Sequence, residues 1–325
     1  MTTCSIVILT YKGKHHLELM LPTLREAISH YRGQAIIDTR VVDNGCDEAS
    51  KEIALAAFPG LQYLFSPKND YLFSLNEVIA GIPSDYILLL NDDIRLDKEM
   101  LNELIPMMEE ADESLFGISC KNLDWEGART ISGVRTAEYR RGWMSNYYLD
   151  PAEESTKYTL YPAGGSTIFR TKYFNALHGF DTLYRPAYCE DTDLGIRVWQ
   201  NGWKIIYHPP AYVYHREGGS TKDAFSHAKL EQLIYRNQLL CMFKNTRRPG
   251  FFFWFFVMLP YRLFYNARNN PNQYKALLQA LRGIFPALAR RRAAAAGVNG
   301  AGIKLKDSQW MALLNTPYLP KKPKL

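Results

Sequence analysis

The sequence lacks the features of a disulfide-bonded, zinc-binding or membrane-spanning protein. Its five cysteines among 325 residues are widely spaced, odd in number and form no C-x-x-C pair, which argues against a disulfide framework and against a zinc cluster. No uninterrupted apolar stretch reaches the roughly 20 residues that a spanning helix needs, and no signal peptide is readable at the N-terminus. We therefore expect a protein of the reducing cytoplasm that is soluble or bound to a membrane surface.

Glycine-rich motifs that hold phosphate groups in many nucleotide-binding proteins are also missing. No G-x-G-x-x-G follows a predicted strand, and no G-x-x-x-x-G-K-[ST] occurs, which excludes the dinucleotide-binding and P-loop classes. With 47% hydrophobic and 22% charged residues, the composition is that of a globular protein rather than of a disordered or coiled-coil chain. Any bound phosphate must be held by other groups.

Acidic residues are scarce at the C-terminal end. Residues 223–325 contain 17 Lys+Arg and 3 Asp+Glu, whereas residues 1–222 contain 22 and 30. The sequence therefore predicts a mildly acidic domain, 1–222, followed by a basic region, 223–325. Such a region indicates a polyanionic partner, either nucleic acid or an anionic membrane surface.

The first half of the chain alternates short apolar runs with longer amphipathic ones, a pattern typical of βαβ units and of a mainly parallel α/β sheet. In an open α/β sheet, ligands bind beyond the carboxyl ends of the strands. We expect one crevice to be lined by the residues at which four predicted strands end, which are Thr10-Tyr11, Asp43, Ser66 and Asn91-Asp92-Asp93.

Two adjacent carboxylates, Asp92 and Asp93, follow the continuous apolar run Tyr86–Leu90, which predicts a strand buried on both faces. Mg²⁺ and Mn²⁺ prefer oxygen ligands and usually take one or two from the protein. The pair therefore suggests a divalent cation that bridges the protein and a diphosphate. In the alternative interpretation, one Asp caps the helix predicted to begin near Lys98 or forms a turn.

A second acidic cluster, Glu190-Asp191-Thr192-Asp193, precedes a predicted helix that is closed by Gly202. One of its acids can serve as the helix N-cap, but three acids exceed that need. A carboxylate fixed near a reacting hydroxyl suits a general base. Further along, His215 ends the short predicted strand Tyr212–Tyr214 and is a candidate metal or diphosphate ligand.

In their order along the chain, these segments resemble the inverting family-2 glycosyltransferases of GT-A fold, especially their bacterial rhamnosyltransferase-like branch. The resemblance covers roughly residues 4–222. Each motif is weak alone, whereas the ordered set is specific. The motifs are Ser5-Ile6-Val7-Ile8-Leu9-Thr10-Tyr11; Val42-Asp43-Asn44-Gly45; Leu89-Leu90-Asn91-Asp92-Asp93; Gly179-Phe180-Asp181 with Glu190-Asp191-Thr192-Asp193-Leu194 and Arg197; and His215 with Ser220.

The resemblance implies a donor-binding half, about residues 1–97. Thr10, Tyr11 and Asp43 would line the pocket of the nucleotide base. The segment Asn91-Asp92-Asp93 would stand where the family's D-x-D motif meets ribose and metal, with Asp93 as the main ligand of Mg²⁺ or Mn²⁺ and Asp92 able to share that duty.

The resemblance also implies a catalytic and acceptor-binding half, about residues 98–222. His215 would complete the metal or diphosphate site. Asp191, with Glu190 beside it, would deprotonate the acceptor hydroxyl in a single in-line displacement at the anomeric carbon of the donor sugar.

Two features depart from the family pattern. The segment Lys68-Asn69-Asp70-Tyr71 has none of the glycine usual there, although the donor-binding Asn76 is kept. In addition, Asn91 replaces the first acid of the D-x-D motif, so the metal site would be less anionic and Asp93 would carry more of it.

The basic region begins with a predicted helix, 223–245, whose apolar face would pack on the catalytic domain. The aromatic run Phe251–Leu259 stops at Pro260 after nine residues, too few to span a bilayer. Together with the amphipathic, arginine-rich segment Tyr274–Arg292, it predicts binding to an anionic membrane surface. The alternative is a helical subdomain or a homo-oligomer interface. Nucleic acid is disfavoured, because a solid phenylalanine block is an apolar anchor rather than a base-stacking pattern.

The sequence thus predicts a metal-dependent, inverting glycosyltransferase, of hexosyltransferase type, peripheral on the inner face of the cell membrane. It would move a sugar from a UDP- or dTDP-sugar, with dTDP-rhamnose as one candidate, to a glycan or lipid-linked acceptor in cell-surface polysaccharide synthesis. One rival is a nucleotidyltransferase of similar fold, which would release pyrophosphate. Another is a catalytically silent sugar-binding module, which would have no use for Asp93, Asp191 and His215 together.

Overall fold

The computed structural model describes residues 1–149, 153–162, 165–216 and 225–319. A mixed ten-stranded sheet and a separate two-stranded hairpin form its β-structure. The strands are β1 (Thr3–Thr10), β2 (Ile36–Asp43), β3 (Gln62–Phe65), β4 (Tyr86–Asn91), β5 (Ile94–Leu96), β6 (Leu115–Leu123), β7 (Thr130–Ser132), β8 (Arg135–Arg140), β9 (Trp143–Tyr148), β10 (Lys157–Tyr158), β11 (Ser166–Arg170) and β12 (Lys204–His215).

The main path of the large sheet runs β10-β12-β6-β11-β4-β1-β2-β3. The strands β3, β2, β1 and β4 are parallel, and so are β6 and β12. Strand β11 is antiparallel to both of its neighbours and joins the two parallel groups. The predicted mainly parallel α/β sheet is therefore confirmed, with an antiparallel strand at the junction of its two halves.

Helices cover both faces of the sheet. One face packs against α1, α2 and α4, and the other packs against α3, α5, α6 and the C-terminal helices. The helices are α1 (Lys14–His30), α2 (Glu48–Ala57), α3 (Leu75–Ala80), α4 (Met100–Glu110), α5 (Thr171–Ala176), α6 (Glu190–Gln200), α7 (His227–Asn245), α8 (Phe251–Asn269), α9 (Pro271–Arg282), α10 (Ile284–Ala295) and α11 (Asp307–Leu313).

The side-chain periods of the elements explain these layers. Along β1, Ile6 and Ile8 face the α1 layer, whereas Val7 points into the opposite core, as alternation along a strand requires. Within α1, Leu17, Leu21 and Leu24 recur at helical spacing and are fully buried or nearly so. This places the predicted apolar face of the first helix against the sheet.

The C-terminal helices belong to the same core as the catalytic half. Phe243 of α7 and Phe255 of α8 are fully buried, and their rings meet edge to face at 4.9 Å. Trp310 of α11 is 1% exposed. Leu233 and Leu240 of the predicted α7 face are buried as expected, but Ile234 is 38% exposed, so the inward face is narrower than the sequence suggested.

Two predicted boundaries in this region are wrong. The helix that carries the aromatic run continues through Pro260 to Asn269. Proline removes the hydrogen bond to the carbonyl of Phe256, and Phe256 lies on an exposed side of the helix, where water can replace the lost donor. The predicted segment 274–292 is divided at Gly283 into α9 and α10. No helix among the described residues is long and apolar enough to cross a membrane.

Candidate active site

The parallel register brings the predicted donor residues to one edge of the sheet. Thr10 on β1 is paired with Asp43 on β2, and Leu9 is paired with Asn91 on β4. Because the strands are parallel and in register, their carboxyl ends lie side by side. The structure therefore gathers Thr10, Asp43 and Asn91 at one edge of the sheet, where the sequence predicts the crevice.

Asp43 is fully buried, and both of its oxygens hold the turn that follows β2. Its Oδ1 accepts the Gly45 amide at 2.6 Å, and its Oδ2 accepts the Asp47 amide at 2.8 Å and the Tyr63 hydroxyl at 2.9 Å. An ionised carboxylate has about four lone-pair positions. Three protein donors fix Asp43 and leave limited capacity toward a further donor at this edge.

Asp92 is held by the loop that links β1 to α1. The Thr10 hydroxyl donates to its Oδ2, and His16 Nδ1 lies 3.4 Å from its Oδ1. At Gly13, a Cβ atom would lie only 1.9 Å from Asp92 Oδ2, so glycine permits this close approach. Because the Asp92 carboxylate accepts a hydrogen bond from His16, it raises the pKa of His16. Sequence reasoning missed His16, whose only signal is its place in the first turn after β1.

Asp93 takes a different partner. Strand β5 pairs with β12 so that His215 lies opposite Ile94, and the Arg216 amide donates to the Asp93 carbonyl at 2.9 Å. As a result, His215 Nε2 lies 3.3 Å from Asp93 Oδ1. The approach is not aligned as a hydrogen bond, and among the described residues neither Asp93 Oδ1 nor His215 Nδ1 has a hydrogen-bond partner. These two predicted ligands are thus adjacent and available.

The pair suits a divalent cation in donor type and number. A carboxylate and an imidazole are both used by Mn²⁺, and Mg²⁺ sites often draw one or two protein ligands and complete the shell with water and phosphate oxygens. Within residues 1–149, 153–162, 165–216 and 225–319 there is no group of three or more His, Cys, Asp or Glu side chains that could hold a metal ion. Among the described residues, this part of the crevice thus offers one carboxylate and one imidazole.

In the loop before α3, where the family usually has glycine, Tyr71 adopts a left-handed backbone conformation. Tyr71 adopts φ +53°, a conformation that costs a non-glycine residue free energy. Asn44 donates to the Tyr71 carbonyl at 2.9 Å, and Arg185 forms a two-pronged pair with Asp70. These long-range bonds stabilise the turn in the segment that lacks the family's glycine.

Asn76 contacts the protein backbone at both ends of its amide. Its Nδ2 donates to the Phe180 carbonyl at 2.8 Å, and its Oδ1 accepts the Phe180 amide at 2.8 Å. The side chain thus fastens α3 to the Gly179–Asp181 turn. Its donor-binding role stays a prediction, as does that of Tyr11, which is half-buried beside the crevice.

The acidic cluster lies within the first turn of α6 rather than before it. Cys189 is the N-cap residue, with φ +72° and no side-chain cap bond. The interpretation of Asp191 or Asp193 as the N-cap is therefore wrong. The acids are instead placed where the helix dipole favours negative charge.

Asp193 has a structural role. It is fully buried and is paired with Arg197 and with Lys244, each at 2.6 Å. Asn245 also donates to it at 2.6 Å, and Tyr184 at 2.7 Å. The two cations hold the pKa of Asp193 well below its usual range despite burial. Asp193 therefore fastens α6 to α7.

Asp191 and Glu190 lie in a pocket with fewer partners. Asp191 Oδ1 accepts the Thr192 amide at 2.6 Å. Glu190 is 3% exposed, and among the described residues its Oε2 has no hydrogen-bond partner. Burial raises the pKa of both carboxyl groups. A carboxylate with a raised pKa is a stronger proton acceptor, which suits a general base.

Arg135 faces the same pocket and was not predicted. Its guanidinium lies 3.0 Å from the centre of the Tyr148 ring and 5.4 Å from that of Tyr161. The charge of Arg135 lowers the pKa of Asp191, against the larger effect of burial. Among the described residues, no carboxylate lies at ion-pair distance from it. No local pattern indicates this role, because Arg135 lies on the β8–β9 hairpin, more than 50 residues before Asp191 in the chain.

The loop after His215 cannot be placed in this site. Ser220 and the glycines before it lie outside the described residues, as does the predicted boundary between residues 222 and 223.

Known glycosyltransferases resemble this chain in sequence and in fold. A sequence model described as glycosyl transferase family group 2 matches residues 86–227. The N-acetylglucosaminyl-diphospho-decaprenol L-rhamnosyltransferase of Mycobacterium tuberculosis (strain CDC 1551 / Oshkosh) is 25% identical over 250 residues, which cover 68% of this chain and 79% of that protein. Rhamnosyltransferase WbbL of Escherichia coli (strain K12) is 24% identical over 240 residues, 69% of this chain and 87% of that one.

The fold is similar to that of solved glycosyltransferases. The structure of GalNAc-T7 with UDP, GalNAc and Mn²⁺ superposes with a TM-score of 0.58 at 12% identity, over 92% of this chain and 58% of that one. The chain thus spans little more than half of that larger protein, and at this identity the likeness concerns the fold. The matched sequence, the rhamnosyltransferase relatives and the fold together support a glycosyltransferase that is similar to family 2 and has a GT-A-like fold.

Proposed function

We propose that this glycosyltransferase moves a sugar from a UDP- or dTDP-sugar to a hydroxyl of a glycan or lipid-linked acceptor, with inversion at the anomeric carbon and with a divalent cation. The first donor to try is dTDP-rhamnose, because both relatives described above are named rhamnosyltransferases. A lipid-linked acceptor is favoured by the name of the mycobacterial relative, which acts on a diphospho-decaprenol.

The observation that carries the proposal is the pair Asp93 and His215 at the crevice. His215 Nε2 lies 3.3 Å from Asp93 Oδ1, yet neither Asp93 Oδ1 nor His215 Nδ1 has a hydrogen-bond partner among the described residues. Leaving such atoms unpaired is costly, and a ligand at the crevice would satisfy them. We assign Asp93 and His215 to holding Mg²⁺ or Mn²⁺, which would neutralise charge on the departing nucleoside diphosphate.

Donor binding falls to the strand ends. Asp43 is fixed by its backbone and Tyr63 bonds, so its remaining lone pair has a defined direction toward the base. Asn91 packs against Gly165, where a Cβ would lie 2.3 Å from its amide, and Asp92 is fixed by Thr10 and His16. We place the base near Thr10, Tyr11 and Asp43, and the ribose near Asn91 and Asp92.

Asp191 performs the proton transfer in this proposal. Its carboxylate takes the proton of the acceptor hydroxyl while the hydroxyl oxygen attacks the anomeric carbon. The bond between that carbon and the β-phosphate oxygen breaks at the same time, and the nucleoside diphosphate leaves. Burial of Glu190 and Asp191 in one pocket keeps water away and favours Glu190 as a neutral neighbour of an ionised Asp191.

The division of labour follows the chain. Residues 1–97 form the donor half and 98–222 the acceptor half, and the basic region 223–325 places the enzyme on the inner face of the cell membrane. The finding that no helix among the described residues can span a bilayer, together with the 17 Lys+Arg of residues 223–325, supports peripheral binding.

A donor screen tests the function directly. The enzyme is incubated with UDP-, dTDP- and GDP-sugars, with Mg²⁺ or Mn²⁺, and the released nucleotide is identified. We expect slow hydrolysis of one donor class to free nucleoside diphosphate, and a loss of this activity in chelator that added metal restores. Release of pyrophosphate from a sugar phosphate and a nucleotide would instead identify a nucleotidyltransferase, and binding of sugar without turnover would identify a silent module.

A further inference from the structure

Helix α8 has one face buried in the core and one face exposed to solvent. Phe251, Phe255 and Asn266 point into the core. The opposite face is a continuous ridge of exposed apolar side chains, here called the aromatic ridge. It consists of Phe253, Trp254, Phe256, Val257, Tyr261, Phe264 and Tyr265.

The ridge follows the period of the helix and is strongly exposed. Phe253, Val257, Tyr261 and Phe264 recur at spacings of four, four and three, which aligns them on one side. Phe253 is 64% exposed, Tyr261 59% and Phe264 68%. No other helix in the described part of the chain shows as many exposed large apolar side chains. A soluble protein rarely leaves such a patch without a partner.

The positive charge around the aromatic ridge favours an anionic partner. No Asp or Glu occurs from Thr246 to Lys306. Arg248 and Arg268 are exposed near the two ends of α8, whereas Arg262 turns inward and stacks on Trp143 and Phe255. Exposed aromatic residues with flanking arginines suit the interface of an anionic bilayer, where rings enter the headgroup layer and cations meet lipid phosphates.

The hairpin β8–β9 connects α8 to the catalytic pocket. Arg262 donates from Nη2 to the Arg141 carbonyl at 2.9 Å. Gly142 at the hairpin tip has φ +70°, and a Cβ there would lie 2.3 Å from the Phe255 amide nitrogen, so the tip rests on the α8 backbone. The first residue of β8 is Arg135, whose charge acts on Asp191. Five strand steps cover about 17 Å, so the hairpin links α8 to the surroundings of Asp191 over roughly that distance.

We propose that the aromatic ridge of α8 is seated in the interface of an anionic lipid bilayer, and that the hairpin resting on α8 thereby holds the entrance of the Asp191 pocket at the bilayer surface. The acceptor class that fits is then one whose lipid part remains in the bilayer while its sugar hydroxyl reaches Asp191. The acceptor part of this inference rests on the proposed function, whereas the seating of the ridge does not.

Vesicle flotation of the full chain tests the seating. Wild-type protein is mixed with vesicles of phosphatidylcholine alone or with vesicles that also contain roughly 30% phosphatidylglycerol, which makes their surface anionic. We expect binding that is stronger on anionic vesicles and only partly reversed by high salt. The double variant Phe253→Ser/Phe264→Ser should lower vesicle affinity by about tenfold or more, and Arg268→Glu by roughly fivefold or more.

Matched variants far from the ridge serve as controls. Leu19→Ser/Leu55→Ser removes exposed apolar side chains from α1 and α2, and Arg25→Glu reverses an exposed charge on α1. Both should bind vesicles as the wild type does, and all variants should retain the wild-type melting temperature. Equal losses in ridge and control variants, or no vesicle binding by the wild type, would overturn the seating. A wild-type dimer that ignores vesicles and that the ridge variants dissociate would make the ridge an interface between copies.

A fluorescent label tests the position of the hairpin. In a Cys46→Ser background, an environment-sensitive dye is attached to Arg140→Cys on the hairpin or to Glu52→Cys on α2, with the background protein as the blank. Addition of anionic vesicles should shift the emission of the Arg140→Cys label and leave that of the Glu52→Cys label unchanged. Unchanged emission at both positions, with vesicles bound, would refute the placement of the pocket. Because neither measurement uses a sugar donor, a failed donor screen would be distinguished from a failed seating.

Discussion

At the strand-end crevice, Asp92 is tied to Thr10 and His16, whereas Asp93 next to it keeps an oxygen without a hydrogen-bond partner among the described residues. At the start of α6, Asp193 is enclosed by two cations and two neutral donors, whereas Asp191 accepts only from the amide and hydroxyl of Thr192 among the described residues. Both regions thus contain one carboxylate used by the fold and one that is available. The comparison teaches that neighbouring acids acquire different roles through their partners, not through their type.

The largest effect should follow from removal of the available acid of the crevice. We expect Asp93→Ala to abolish sugar transfer, because it removes the carboxylate that we propose as a ligand of the divalent cation, beside His215. Asp92→Asn, its matched neighbour, should cost less, since the hydrogen bond from Thr10 can persist. The rates of both variants with varied Mn²⁺ measure this difference. A more damaging Asp92→Asn would reverse the assignment at this edge.

Removal of Asp191, the available acid of α6, should have the second-largest effect. Asp191→Asn keeps the shape of the side chain but cannot accept a proton, and general base catalysis typically contributes about 10²- to 10⁴-fold. We therefore expect a fall of that size in kcat with donor affinity unchanged, measured by steady-state kinetics and by donor titration. If donor affinity fell and kcat did not, the base would have to be sought at Glu190.

The acid of α6 that the fold uses should affect stability before chemistry. Asp193→Asn leaves Arg197 buried without its anion and leaves Lys244 with Asp181 as its remaining carboxylate, a type of change that costs about 3–5 kcal/mol. We expect the free energy of unfolding in urea to fall by about that amount. Asp181→Asn is the control, because Asp181 also pairs with Lys244 but is more exposed. Equal losses for the two variants would contradict the special role of Asp193.

The smallest expected effect is a shift in the pH dependence of kcat. Burial raises the pKa of Asp191 and the charge of Arg135 lowers it. A general base must be ionised, so activity should fall as the pH drops through this raised pKa. Arg135→Gln removes the cation that favours ionisation, and the acid limb of the plot of kcat against pH should therefore move to higher pH, with the rate on the alkaline side changed less than tenfold. A limb that moved to lower pH would show that Arg135 does not act on the base.

The strands of the first half could be predicted with their ends because each is an apolar run closed by polar residues. The helices at the other end were harder. Pro260 is a strong stop signal, yet α8 passes through it, and Phe256, whose carbonyl loses its donor, lies on an exposed side of the helix. Gly283 divides a segment whose apolar spacing had indicated one helix.

The sequence by itself determined where the chemistry-bearing residues lie relative to the sheet. Parallel strands with alternating or continuous apolar runs must align their carboxyl ends, and so Thr10, Asp43 and Asn91 had to become neighbours. Only the tertiary structure decided which acid of each pair is held by ion pairs and hydrogen bonds within the protein. The partners that distinguish Asp193 from Asp191 are Lys244 on α7 and Arg135 on the hairpin, and His16 on α1 distinguishes Asp92 from Asp93. Local pattern cannot reveal these pairings, because they join residues that are distant in sequence and meet only when the helices pack on the sheet.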